Sequence, residues 1–138
     1  MWHKVTKLDK QTLDTMSKGE EAQLRIELFC AQKNIIVLKP TLQLRFDLVL
    51  YINNKFYRSQ VKFLNRLSGK DHLELRIEDK RYKNKKCYTN KEIDLLLIYV
   101  PKIDSILCLK GKDFHNKKTL YFNLTNPKSP RYYKKFLW

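Results

Sequence analysis

Only three of the 138 residues are glycine, and none sits in a run that could wrap a phosphate, so the glycine-rich loops of the usual nucleotide-binding folds are missing. His3, His72 and His115 are scattered and no His-Glu-x-x-His pair occurs, which leaves little for a histidine-ligated zinc ion. Serines are few and none lies in a Gly-x-Ser-x-Gly elbow, so serine nucleophile chemistry has no support. Cys30, Cys87 and Cys108 are odd in number and widely spaced, without a Cys-x-x-Cys pair; they read as reduced intracellular thiols used for packing. No stretch approaches a membrane-spanning apolar run, and the N-terminus, Met-Trp-His-Lys-Val-Thr-Lys, lacks a signal-peptide core, so a soluble cytoplasmic protein without a membrane partner is expected.

Acidic residues are the most consequential scarcity. Fourteen Asp and Glu stand against 29 Lys and Arg, a net charge of +15. A self-repelling cationic surface points to a polyanionic partner, with nucleic acid ahead of an anionic membrane surface. Residues 1–62 carry a net +5 and residues 63–138 a net +10, so the second half is the expected docking surface. The chain is long enough for one domain with a core that needs no staple.

What is present centres on Arg45 to Phe63, two arms that alternate at period 2 around Asn53-Asn54 and read as a β-hairpin. With those asparagines as the loop, Asp47 falls opposite Gln60, and Lys62 follows on the same face, beside Arg45, Val49, Tyr51, Phe56 and Arg58. The other face collects Phe46, Leu48, Leu50, Ile52, Tyr57, Val61 and Phe63 around Ser59, a core-facing set. A carboxylate, an amide and an ammonium so placed can hold one divalent cation and one lysine beside a phosphate. The alternative is a solvated sheet face with a cross-strand polar pair.

Upstream, Ser17-Lys18-Gly19-Glu20 has the form of a capping box opening a helix to about Lys33, largely buried except for a stripe of Glu20, Gln23 and Glu27 that faces either solvent or a site. Ile35 to Leu38, Leu73 to Ile77, Ser105 to Leu109 and Thr119 to Leu124 read as strands, and Asp94 to Val100 as a strand buried on both faces. Lys80 to Lys86, with five cations in seven residues, reads as a loop. A basic aromatic tail begins at about Asn126. The expectation is a single α/β or α+β domain, residues 1–138, with a mixed central sheet.

Lys18-Gly19-Glu20, Arg45-Phe46-Asp47-Leu48, Gln60-Val61-Lys62, Tyr88 and Glu92-Ile93-Asp94 running into Leu-Leu-Leu-Ile-Tyr-Val-Pro-Lys-Ile-Asp together resemble the PD-(D/E)XK nucleases, most closely the homing endonucleases of group I introns. The resemblance spans roughly residues 17 to 127 and implies a restriction-endonuclease-like core, a mixed sheet flanked by helices, and site-specific, metal-dependent cleavage of double-stranded DNA. By position Asp47 matches the metal-binding aspartate, Gln60 the Asp/Glu position and Lys62 the catalytic lysine, with Mg²⁺ or another divalent cation as cofactor. Gln60 is neutral where the pattern has an acid, and Phe46 stands where the motif name has proline. The resemblance also implies a helix acid, for which Glu20 is the choice with Gln23 and Glu27 on the same stripe as alternatives, and the Val61 backbone carbonyl is a further ligand candidate. Lys80, Arg81, Lys83, Lys85 and Lys86, with Arg131, Lys134 and Lys135 of the tail, are the expected phosphate contacts, and a homo-oligomer associated with the nucleoid is expected. A structure-specific nuclease such as a Holliday-junction resolvase, or a DNA-binding protein without catalysis, are the competing readings.

Overall fold

The computed structural model describes residues 7–78 and 86–138. Five strands form the main sheet in the order β1-β2-β3-β5-β6, where β1 is Ile36–Leu38, β2 Leu48–Ile52, β3 Lys55–Phe63, β5 Leu95–Val100 and β6 Ser105–Lys110. All neighbours are antiparallel except β3 and β5, so the sheet is mixed as expected. Asn53 and Asn54 both take positive φ, 50° and 65°, which matches the right-handed twist of a two-residue hairpin. The β2–β3 pairing that follows, Leu48 with Ser59 through Ile52 with Lys55, is the one the loop dictates.

Helix α1, Lys7–Gln32, lies across one face of this sheet. It begins well before Ser17, so Ser17 to Glu20 is helix interior and not its start. The local capping signal is overridden because the preceding residues also favour helix, and an isolated glycine inside costs only about 1 kcal/mol. The helix is also less buried than expected. Ala22, Ile26 and Cys30, one residue per turn, are fully enclosed, while Met16, Leu24 and Leu28 are exposed. The buried stripe packs on Leu48, Leu50, Val61, Leu95, Leu97 and Tyr99.

The opposite face of β5, Leu96, Ile98 and Val100, carries the larger core. There it meets a two-stranded sheet of β4, His72–Arg76, and β7, Thr119–Asn123, with Phe114 from the short helix α2, Gly111–Phe114. Covered by a helix on one side and this second layer on the other, β5 is buried at all six positions, as its apolar run requires. The second layer stops short of the hairpin tip, and Ile36, Leu38 and Phe56 stay exposed.

The C-terminal segment is folded down onto the domain. Trp138 stacks on Phe29 with ring centroids 4.3 Å apart, and its N–H donates to the Ile106 carbonyl at 3.0 Å. Leu137 bridges to Leu107 on the β6 edge. Cys30 and Cys108 are pushed up to about 11 by burial, which keeps both thiols protonated as packing groups.

The parallel β3–β5 pair begins at a clasp. Asp94 accepts from the Arg58 backbone N–H at 2.8 Å and from the guanidinium Nε and Nη2 at 3.0 and 3.1 Å, while its own N–H donates to the Arg58 carbonyl at 2.8 Å. The Arg58 hydrogen bonds hold the Asp94 carboxyl below the usual carboxylate range, against the effect of its burial. A carboxyl with a lower pKa folded than unfolded adds stability above its unfolded value and loses it as pH falls through the folded one. Both side chains are about a third exposed, so solvent screening limits the contribution. Asp94→Asn is expected to cost about 1 kcal/mol in urea denaturation at pH 7 and much less near pH 3. An equal cost at both pH values would place the effect outside the ion pair.

Candidate active site

Strand β3 runs past the end of β2, and what happens at that end builds the site. Leu48 pairs with Ser59, and the Asp47 N–H also donates to the Ser59 carbonyl at 2.9 Å. Two residues of one strand thus face one of the other, the pattern of a β-bulge. Strict alternation ends there, and the structure corrects the sequence reading at Phe46: it packs in the second-layer core, on the opposite side of the sheet from Leu48. Asp47 is not simply the next cross-strand partner of Gln60. Its Oδ2 accepts the Val61 N–H at 3.0 Å, so the carboxylate takes the place in the ladder that a further β2 residue would have filled.

An extended residue sends its N–H and C=O to the same strand edge, so the Val61 carbonyl leaves β3 on the side where Asp47 sits. Gln60 and Lys62 pair with Leu96 and Ile98 of β5 and share their face, away from α1. Gln60 is 7% exposed, and its Oε1 is buried with no hydrogen-bond partner among the described residues. An unmet buried acceptor costs about 1–3 kcal/mol, which makes this oxygen a candidate for a cation. Lys62 extends over the ring of Tyr88, with Nζ 5.5 Å from the centroid. Asp47, Gln60, Val61 and Lys62 are therefore neighbours at one end of the hairpin.

Glu20 is exposed on α1, the opposite layer from Gln60 and Lys62. Asn34, at φ 57°, turns the chain so that β1 runs back along the helix, which carries the helix residues before Glu27 toward the Asp47 end of the sheet. Glu27 is bound to Lys39 at 2.6 Å, and that hydrogen bond is the main cause of the raised Lys39 pKa, with a smaller contribution from the charge of Glu20. Among the described residues no three His, Cys, Asp or Glu side chains converge as metal ligands. A cation at the Asp47 end would rest on one hairpin carboxylate supplemented by neutral oxygens. The donor set suits a hard divalent ion, because the Gln60 amide oxygen and the Val61 carbonyl are both oxygen ligands.

The expected phosphate contacts divide. Lys80, Arg81, Lys83 and Lys85 lie outside the described residues. Lys86 is exposed, with Nζ 4.0 Å from Glu92 Oε2. Arg131 has partners within the domain: its guanidinium lies 4.7 Å from the Phe136 ring centroid and 5.2 Å from that of Phe122, and its Nε donates to the Tyr121 carbonyl at 3.0 Å. Burial lowers its pKa, and the group serves to pin the tail to β7. Lys134 and Lys135 are exposed, Lys135 donating to the Ser129 carbonyl at 2.8 Å. A cluster that sequence reasoning did not assemble lies beside Lys62: Arg45, Cys87, Tyr88 and Glu92. Arg45 and Glu92 are 47 positions apart, and no local pattern joins them.

A family model described as PD-(D/E)XK endonuclease matches residues 13–136. Among solved structures, that of a bacterial homing endonuclease, I-Ssp6803I, superimposes with a TM-score of 0.74 at 17% identity, covering 89% of this chain and 88% of that one. The likeness at this identity concerns the fold, a restriction-endonuclease-like arrangement of mixed sheet and helices. No curated protein sequence matches.

The orphaned Gln60 oxygen predicts a trade. Gln60→Met keeps the length and removes the unmet acceptor, so in metal-free buffer the variant is expected to be more stable than wild type by about 1 kcal/mol in urea denaturation. Added Mg²⁺ should stabilise wild type more than the variant, and a variant less stable than wild type without metal would show that the amide is satisfied.

Proposed function

The chain belongs to the PD-(D/E)XK endonuclease family, and from that premise we propose that it is a homing-type enzyme that cuts double-stranded DNA at a specific site with Mg²⁺ or a similar cation. One observation carries this reading: Asp47 accepts the N–H of Val61, the residue between Gln60 and Lys62, at the end of the β2–β3 hairpin, and the Gln60 oxygen is buried without a partner among the described residues. The net charge of +15 supports a nucleic-acid substrate, since phosphate contacts release counterions and supply most of the binding.

Asp47, the Gln60 Oε1 and the Val61 carbonyl would hold the cation, with Glu20 as the further acid from α1. A bound hard cation supplies acidification of water and charge relief at the phosphate. The Val61 N–H orients the Asp47 carboxylate, so that ligand is held before substrate arrives. Lys62 neutralises charge that builds on the phosphate oxygens during attack. Gln60 contributes a carbonyl dipole where an acid would contribute a full charge. The site therefore holds its metal weakly until substrate phosphates complete it. Two copies acting on opposite strands are the simplest route to a double-strand break from one small site per chain, and pair symmetry favours a partly palindromic target.

Asp47→Ala is expected to abolish cleavage while DNA binding persists. Gln60→Ala should cut more slowly at every Mg²⁺ concentration, and Gln60→Glu should stay active or shift its metal preference. Cleavage rates over a Mg²⁺ titration test all three, and a Gln60→Ala protein that cuts like wild type throughout removes Gln60 from the metal site.

Replacing Lys83, Lys85 and Lys86 together by Ala is expected to weaken DNA binding and flatten its salt dependence by roughly 0.9 log units per lost phosphate contact. An unchanged slope would assign the loop to solvent. Light scattering of the DNA complex tests the oligomer, and a 1:1 complex that breaks both strands would overturn it.

A further inference from the structure

Tyr88 is 2% exposed and serves two cations at once. The Arg45 guanidinium carbon lies 4.4 Å from its ring centroid and the Lys62 Nζ 5.5 Å. Arg45 is itself held: its Nε is 2.9 Å from Glu92 Oε2, and its Nη2 donates to the Cys87 carbonyl at 2.9 Å. Glu92 is fixed in turn, because the Thr89 hydroxyl donates to its other oxygen at 3.0 Å and the Glu92 N–H donates to the Thr89 carbonyl at 3.1 Å. Thr89, Glu92, Arg45 and Tyr88 form one connected wall against Lys62.

Two physical requirements meet in that wall. A lysine that acts on a phosphate needs a fixed position, yet its four-carbon stem is flexible. The face of an aromatic ring attracts an ammonium without neutralising it. Arg45 on the same ring repels Lys62, and the Glu92 carboxylate offsets that charge. Arg45 also stands two residues before Asp47, so the pair that braces the ring also tethers the chain entering the site.

We propose that Tyr88 is the positioning residue for Lys62, and that the Arg45–Glu92 pair braces the Tyr88 ring and neutralises the competing cation. The proposal rests on the reading of Lys62 as the catalytic lysine.

The test is cleavage of double-stranded DNA with Mg²⁺ by the full chain, kcat and KM separated. Tyr88→Leu, which removes the ring, is expected to lower kcat by roughly 10- to 100-fold, the scale of a misplaced catalytic group, while KM for DNA changes little. Tyr88→Phe, which restores the ring, should cut at least about tenfold faster than Tyr88→Leu. Glu92→Gln, which keeps the shape and removes the charge, should also lower kcat with little change in KM, and it decides the matter should Tyr88→Leu fail to fold. Lys62→Ala separates the two ideas. If it cuts like wild type, the reading of the site fails and takes this proposal with it. If it is inactive while Glu92→Gln and a folded Tyr88→Leu both cut like wild type, the proposal alone is overturned. Losses that appear in KM and not in kcat, or that Tyr88→Phe shares in full, overturn it as well.

Discussion

A carboxylate standing in for a peptide group governs the architecture around the site. Where β2 stops, β3 continues beside β5, and the Val61 N–H would face an empty position. Asp47 supplies the acceptor at 3.0 Å from a bulge that breaks the alternation of its strand. The bulge sends Phe46 into the second-layer core while Leu48 stays beneath α1, so the chain crosses from one face of the sheet to the other at Asp47. The side chain that terminates the ladder is thereby held by the Val61 N–H at the end of the hairpin. Bulges beside active sites re-aim side chains in this way.

Electrostatics follows a related economy. The chain has few acids and uses them as internal staples for individual cations: Asp94 for Arg58, Glu92 for Arg45, Glu27 for Lys39. Each pairing joins segments distant in sequence, so an acid that neutralises a base also fixes tertiary structure. The excess of positive charge is left for the surface, where it can meet a polyanion. Arg131 shows the limit of counting charges, since aromatic rings and a backbone carbonyl absorb its guanidinium and leave Lys134 and Lys135 as the exposed cations of that segment.

Local rules made much of the fold legible. The asparagine pair demanded positive φ, and that set the hairpin register through every pair up to Leu48 and Ser59. The uninterrupted apolar run of β5 required cover on both faces and has it. The start of α1 was misread because a four-residue capping pattern is weak against a longer helix-favouring stretch. The docking of the tail was not legible, because its mixed cations and aromatics name no partner surface, and only the folded chain brings Trp138 onto Phe29 and Leu137 onto β6.

For the site itself, period-2 alternation and a two-residue turn set the pairing as far as Leu48 and Ser59, because contacts across a hairpin are short-range in sequence, but the expected opposition of Asp47 and Gln60 gives way to a bulge in which Asp47 accepts the Val61 N–H. Everything that surrounds them needed the tertiary structure. The bulge at Asp47 and the burial of the Gln60 oxygen are features of the folded chain that alternation does not encode. The brace of Arg45, Tyr88 and Glu92 joins residues more than forty positions apart, and no periodicity carries information over that span. The sequence alone determined the turn, the strand faces from Leu48 onward and the chemical types at the site. The packing of α1 and the second layer on the sheet decided which groups are buried or paired, because burial and partnership are properties of surfaces brought together by the whole chain.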